Sequence, residues 1–216
     1  MRLRHYCGTT AAHFHNFIIF TNYQFYIDEF VRMCRDAMTL TEDPPLKQER
    51  QEYTSFVEPG NKVTLNKNLD NGAKKDDKGT ALTRMPQMPA FHLKCADGNG
   101  ITMVNIGVGP SNAKTITDHI AVLRPHAWLM LGHCAGLRNS QGLGDYVLAH
   151  AYLREDHVLD NDLPISIPVP ALAEIQLALE EAVGKVTGFQ GYDLKQIMRS
   201  AQVASLAHLT WSVHPS

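Results

Sequence analysis

A chain of 216 residues with 44% hydrophobic residues and 20 basic against 22 acidic side chains, for a formal charge of −2, has material for a packed core and no excess of either sign. That balance excludes the electrostatic footprint of a nucleic-acid binder. No apolar run approaches the roughly 20 residues of a membrane span, and the opening MRLRHYCGTTAAHFHN lacks a signal-peptide core, so a cytoplasmic protein with neither nucleic acid nor membrane as partner is expected.

The first element is NFIIFTNY (16–23), an apolar run that reads as a buried strand. It leads into QFYIDEFVRMCRDAM, where Tyr26, Ile27, Phe30, Val31 and Cys34 recur at helical spacing. From 41 to 84 the chain turns rich in charged, Asn, Gly and Pro residues without a period, which by composition is a solvated loop or disordered insertion. FHLKC and ITMVNI then flank Asp97-Gly98-Asn99-Gly100, a strong hairpin signal. A helix follows, with Ser111 or Asn112 near its N-cap and Ala113, Ile116, Ile120 and Leu123 on one face. HAWLMLGHC is a buried strand running into a turn, and GDYVLAHAYL is another strand. The last clear helix spans 171–186, with Leu172, Ile175, Leu179, Ala182 and Val186 apolar. The tail is weakly patterned and returns to no further strand, leaving the sheet unfinished.

These elements make an α/β fold, a mixed, largely parallel sheet flanked by helices. They divide into a first strand–helix unit (1–40), a polar insertion (41–85), the core of the domain (86–190) and a divergent tail (191–216). The four cysteines, Cys7, Cys34, Cys95 and Cys134, are scattered and read as reduced thiols. Eleven histidines include no helical i, i+4 ligand pair, so no metal is expected.

Two turns stand out. Gly107 and Gly109 lie between an apolar strand and a helix N-terminus, where bare backbone and the helix dipole suit an oxygen-rich anion. The string G-V-G-P-S-N falls short of a dinucleotide fingerprint: Asn112 stands for the third glycine, Pro110 removes a donor, and no acidic residue ends a strand about 20 residues on. No cofactor is therefore expected, and a plain connection is the alternative. The second turn, GHCAGLRNSQGLGD (132–145), also follows a strand, and two small-residue turns at neighbouring strand ends suggest one cleft. The structural reading of His133 is a satisfied core histidine and of Cys134 a small buried hydrophobe. Neither has an inferable base partner, so neither reads as a nucleophile.

The strings FTNYQFYIDEFVR, MPAFHLKCADGNGITMVNIGVGPSNAKTITDHIAVLRP, WLMLGHCAGLRNSQGLGDYVLAHAYLREDHVLD and LPISIPVPALAEIQLALEEA closely resemble the bacterial AMP nucleosidase family, whose catalytic domain has the nucleoside phosphorylase fold. The resemblance runs from residue 3 to about 186, apart from the polar insertion. It implies hydrolysis of AMP to adenine and ribose 5-phosphate, in a cytoplasmic hexamer that regulates purine pools, with phosphate as competitor. It also implies that Thr21, Asn22 and Tyr23, together with Gly107, Gly109, Ser111 and Asn112, line the phosphate and sugar end. His133, Cys134, Gly136 and Arg138 would lie against ribose and base. Lys114 and Arg138 are the nearest cations for a phosphate. Phe25 stands where the family commonly carries a phosphate-binding arginine. The family's Met-Glu-Ser and Ser-Asp strings, which supply the ribose carboxylate and the acid, do not occur, so no catalytic residue is assigned. The resemblance thus implies a central piece of the enzyme. The competing readings are a non-catalytic piece that assembles with full-length subunits, a purine nucleoside phosphorylase, and, more distantly, a nicotinamide-binding module.

Overall fold

The computed structural model describes residues 2–72, 74–159 and 163–206, and it divides into two units, Met1–Gly132 and His133–Ser216. The first unit runs α1 (Arg2–Cys7), a single 3-10 turn (Ala11–His13), β1 (Phe17–Thr21), α2 (Gln24–Met38), α3 (Pro44–Arg50), β2 (Tyr53–Glu58) and β3 (Lys62–Leu65). It continues with β4 (Ala90–Cys95), β5 (Ile101–Asn105), α4 (Pro110–Ala121) and β6 (Ala127–Leu131). The six strands form one sheet in the order β3-β2-β4-β5-β1-β6. β1 is parallel to both β5 and β6, while β2, β3, β4 and β5 pair antiparallel, so the sheet is mixed.

Helices cover both faces because alternate strand residues point to opposite sides. On one face α2 presents Ile27, Cys34 and Met38 to Phe56, Phe91, Leu93 and Met103, with Tyr26, Phe30 and Val31 packed beside them, as the helical spacing predicts. On the other face Leu3 and Cys7 of α1 and Ile116 and Ile120 of α4 pack on Ile18, Phe20 and Val104. Both α4 isoleucines are fully buried, worth about 2 kcal/mol each in apolar transfer.

Three expectations change here. The stretch 41–85 is not all loop, since it holds α3, β2 and β3. Pro44 and Pro45 open α3 with their fixed φ, and Phe56 and Val57 are buried in β2. Composition hid this because the segment's Asn and Arg side chains work inside the fold. The fully buried Asn66 donates from Nδ2 to the carbonyls of Arg50 (2.6 Å) and Tyr53 (2.7 Å), and Asn68 donates to Thr39 (2.8 Å). Second, α4 ends at Ala121, so Leu123 falls off the buried face and is partly exposed. Third, β6 is an edge strand with Trp128 and Met130 exposed, so it is not buried on both faces.

The second unit holds β7 (Tyr146–Glu155), β8 (Val169–Pro170), α5 (Ala173–Thr187), α6 (Gly191–Ile197) and β9 (Met198–Leu206), with strand order β8-β7-β9. β9 lies parallel to β7, so the tail does return to a strand, against expectation. Its sequence MRSAQVASL alternates half-buried Arg199, Ala201, Val203 and Ser205 with exposed Ser200, Gln202 and Ala204. The period is 2, but small and polar residues carry it, so hydropathy does not reveal it. The last residues of the chain, 207–216, lie outside the described residues. α5 starts at Ala173, two residues later than expected, and packs through Leu179 and Val183 on Leu148, Leu194 and Met198, while Leu172 and Val186 are exposed.

Candidate functional site

The parallel register sets the first unit's site. Thr21 at the end of β1 lies level with Asn105 at the end of β5 and Leu131 at the end of β6, so three strands finish together at one edge. Ligands of open α/β sheets sit beyond such carboxyl ends. The buried Thr21 organises the first turn: its Oγ1 accepts the Tyr23 N–H (3.2 Å), and its carbonyl accepts the Ile106 N–H (2.8 Å), tying the β1 and β5 turns together. Asn22 carries the most informative polar atom. Its Oδ1 is buried and has no hydrogen-bond partner among the described residues, and a Cβ added at the neighbouring Gly132 would stand 3.6 Å from it. Unpaired buried acceptors are costly, so this atom is suited to a hydroxyl donor. Tyr23 is the N-cap residue of α2 and meets Tyr26 edge to face at 6.1 Å.

The glycine turn is built by its backbone. Gly107 has φ +68°, and its N–H is held by Asn105 Oδ1 at 2.9 Å. Gly109, at φ 98° and ψ 152°, occupies a region essentially reserved for glycine, and a Cβ there would meet nothing within 4 Å. Conformation rather than crowding therefore requires this glycine. Gly109 is also the N-cap of α4, with Ser111 and Asn112 near it as expected. Both sit in the first turn, behind Pro110, and Asn112 folds back to donate from Nδ2 to the Val108 carbonyl (2.9 Å). No side chain caps the N-terminus of α4 or of α2. Two helices of 12 and 15 residues thus begin at the same sheet edge with first-turn amides lacking intrahelical partners. Their dipoles favour an anion there.

The cations are less committed. Lys114 Nζ pairs with Asp118 Oδ2 at 3.1 Å on the outer surface of α4. Phe25 is 70% exposed in the first turn of α2. Asn105 and Gln24 escaped the sequence reading: Asn105 Nδ2 donates to Gln24 Oε1 at 3.1 Å, bridging the glycine turn and the start of α2. A polar residue closing an apolar strand was the available signal.

The remaining candidates belong to the second unit. His133, Cys134, Gly136 and Arg138 are all exposed, so His133 is not a core histidine and Cys134 is not a buried hydrophobe. Their segment is a turn closed on itself: the Arg138 N–H donates to Gln141 Oε1 (3.1 Å), and the Gln141 N–H donates to the Arg138 carbonyl (3.0 Å). A Cβ at Gly136 would approach Gln141 Oε1 to 3.0 Å, which explains a small residue there.

At the opposite end of the six-stranded sheet, His92 is fully buried, with Nδ1 2.9 Å from Thr102 Oγ1 and Nε2 2.8 Å from Thr9 Oγ1. Burial pushes its pKa well below the ordinary value, and His13, Lys94 and His15 add to this. His15 Nδ1 accepts the Gly100 N–H at 2.9 Å. These histidines serve packing. Among the described residues no group of three or more His, Cys, Asp or Glu is placed to hold a metal, and no helix is long and apolar enough to cross a membrane.

No family model matches the chain. Comparison with characterised proteins finds AMP nucleosidase of Escherichia coli (strain K12) and of Escherichia coli O157:H7, each 50% identical over 217 residues, covering 100% of this chain. The chain spans 42% of the length of those relatives. Among solved structures, AMP nucleosidase from Bacteroides thetaiotaomicron VPI-5482 is similar with a TM-score of 0.63 and 19% identity, over 98% of this chain and 68% of that one. Purine nucleoside phosphorylase from Toxoplasma gondii is similar with a TM-score of 0.60 and 16% identity, over 92% and 60%. The fold is therefore nucleoside phosphorylase-like, and the sequence resemblance to AMP nucleosidase extends over the whole chain.

Proposed function

We propose that this chain, a relative of AMP nucleosidase from end to end, supplies the sugar-phosphate-holding part of an N-glycoside hydrolase that splits AMP into adenine and ribose 5-phosphate. Breaking an N-glycosidic bond passes through an oxocarbenium-like state, which calls for an anchored phosphate, an oriented ribose and a protonated leaving base. The amides of Ser111 and Asn112 and the first turn of α2 receive phosphate oxygens. Asn22 Oδ1 accepts a ribose hydroxyl. The turn carrying His133, Cys134, Gly136 and Arg138 lies against ribose and base. Phe25, lacking charge and donor, leaves the phosphate held by main-chain amides, so phosphate affinity is modest. The protein works as a cytoplasmic homo-oligomer, a hexamer, in AMP salvage, with inorganic phosphate competing for the same amides.

The observation that carries this reading is the meeting of two uncapped helix N-termini with the unpartnered, buried Asn22 Oδ1 at one sheet edge. Adenine release from AMP, measured beside phosphorolysis of adenosine in phosphate buffer, tests it. Hydrolysis of AMP without added phosphate is expected; turnover of adenosine that depends on phosphate would make the protein a phosphorylase instead. A second reading is binding without turnover inside an assembly of full-length subunits. Its signature is AMP binding with no adenine release and co-purification with a full-length homologue.

A further inference from the structure

Arg199 opens β9, one residue after Met198, and lies in register with Val147 at the start of β7. From there its guanidinium reaches the segment that precedes β7. Nη1 donates to Ser140 Oγ and Nη2 to the Ser140 carbonyl, both at 3.0 Å. The two contacts are 59 residues apart in sequence. Within the segment, Arg138 bonds with Gln141 and Gly142 with Asp145, which gives the turn a shape, and the Arg199 contacts tie it to β9. A segment with no strand or helix of its own and exposed side chains pays for its order in backbone entropy. A planar guanidinium offering two parallel donors limits that loss, because it fixes a direction as well as a distance. Arg199 is half-buried, and its Nε is buried without a partner. The side chain is therefore held in one pose by the fold and is not swinging in solvent.

We infer that Arg199 is a positioning residue for the substrate-facing turn, acting through Ser140 to hold His133, Cys134, Gly136 and Arg138 in place against ribose and base. The inference rests on the proposed function for what the turn contacts; the tether itself stands on geometry. Arg199 touches no substrate. Its effect is on how well a nucleoside is oriented.

The experiment uses the full 216-residue chain and the variants Arg199→Ala, Arg199→Lys and Ser140→Ala, with two readouts. The first is kinetic. Loss of two charge-assisted hydrogen bonds raises KM for AMP about tenfold in Arg199→Ala. The inhibition constant for inorganic phosphate stays unchanged, and Arg199→Lys recovers part of the loss. The second readout is independent of activity. Arg138 is exposed within the turn, so the rate of tryptic cleavage after it reports the turn's order. That rate rises about tenfold in Arg199→Ala and by a smaller factor in Ser140→Ala, which keeps the carbonyl acceptor. Ser140→Ala, at an exposed position, also covers the case in which Arg199→Ala fails to fold. Unchanged cleavage at Arg138 in both alanine variants overturns the tether. Faster cleavage with unchanged KM, or KM and phosphate inhibition shifting together, overturns the positioning role. A chain that neither binds nor turns over AMP overturns the proposed function and the role together, while cleavage at Arg138 still decides the tether.

Discussion

Lowering the pH from 7.5 to 5.0 puts the buried His92 under direct test. The ring is fully buried between the hydroxyls of Thr9 and Thr102, and burial keeps its folded pKa well below 6.5, its ordinary value. A base depressed in this way is neutral in both folded and unfolded chains above pH 6.5, where it costs nothing. Below that, the unfolded chain takes up a proton that the folded chain refuses, and stability falls as pH falls. A ring that stays neutral in the fold removes about 2 kcal/mol at pH 5.0, from the 1.5-unit gap to the unfolded value. For a protein of this size that lowers the melting temperature by roughly 4–8 °C. His13 and His15, also depressed by burial first and by Lys94 next, act in the same direction. Glu58, whose folded pKa is lowered from 4.5, contributes stability that is lost only as pH falls below that value, outside this window. Comparing the chain with His92→Gln isolates the one ring. Urea midpoints at both pH values are the assay, and the variant, though weaker at pH 7.5, loses less stability on acidification. An equal loss in both proteins refutes a neutral buried His92.

Three further outcomes follow from the geometry. Gly109→Ala forces a methyl-bearing residue to φ 98°, costing about 1–3 kcal/mol by strain alone since the space around it is open, and it weakens phosphate binding; an unchanged melting temperature contradicts the turn. Phe25→Arg sets a guanidinium at the first turn of α2 from a 70% exposed position, so stability holds while AMP or phosphate binds about fivefold tighter by titration calorimetry; unchanged affinity counts against the phosphate edge. Asn66→Ala strands the carbonyls of Arg50 and Tyr53 and costs about 2–3 kcal/mol by denaturant melt, whereas a loss below about 0.5 kcal/mol would mean that the 41–85 stretch is not part of the cooperative fold.

What the sequence made legible was whatever hydrophobicity and glycine could write. α2 runs Gln24–Met38 because its apolar residues repeat at helical spacing, and the β4–β5 hairpin follows from Asp-Gly and Asn-Gly between apolar runs. Elements stabilised by polar side chains were illegible. β2 and β3 depend on Asn66 and Asn68 reaching backbone carbonyls, and a residue-by-residue reading takes asparagine as solvated. β9 hides because its half-buried positions are Arg199, Ala201, Val203 and Ser205. At the candidate site the glycines announced the turn, but Asn105 and Gln24, which bridge two turns 81 residues apart in sequence, carry no motif. The exposure of His133 and Cys134 was equally invisible, since an apolar strand leading into a turn says nothing about which side of the surface the turn joins.

The six-stranded sheet is polar at both ends, and the two ends differ in what they leave unsatisfied. Around His92, both ring nitrogens meet threonine hydroxyls of the chain while the nearby His13 Nδ1 is buried without a partner, and the chemistry of that end is stability. At the ends of β1, β5 and β6, the chain spends proline, glycine and an uncapped tyrosine where serine or aspartate would have capped a helix. Against a serine or aspartate cap it gives up about 1 kcal/mol at Tyr23 and roughly a few tenths of that at Gly109, and it buries Asn22 Oδ1 without a donor. α3, α5 and α6 also start without a side-chain cap, so the feature particular to this edge is that two such starts stand beside the unpartnered Asn22 Oδ1. A ligand that brings both acceptors for amides and a donor for Asn22 recovers all of them together. A phosphorylated sugar has that pair of features: oxygens that only accept, and hydroxyls that donate. Serine or aspartate placed at position 23, the N-cap of α2, should then act against the wild-type trade. If the melting temperature rises while AMP binding falls, that helix start is held open for a ligand; a rise with binding intact would show that its amides were never used.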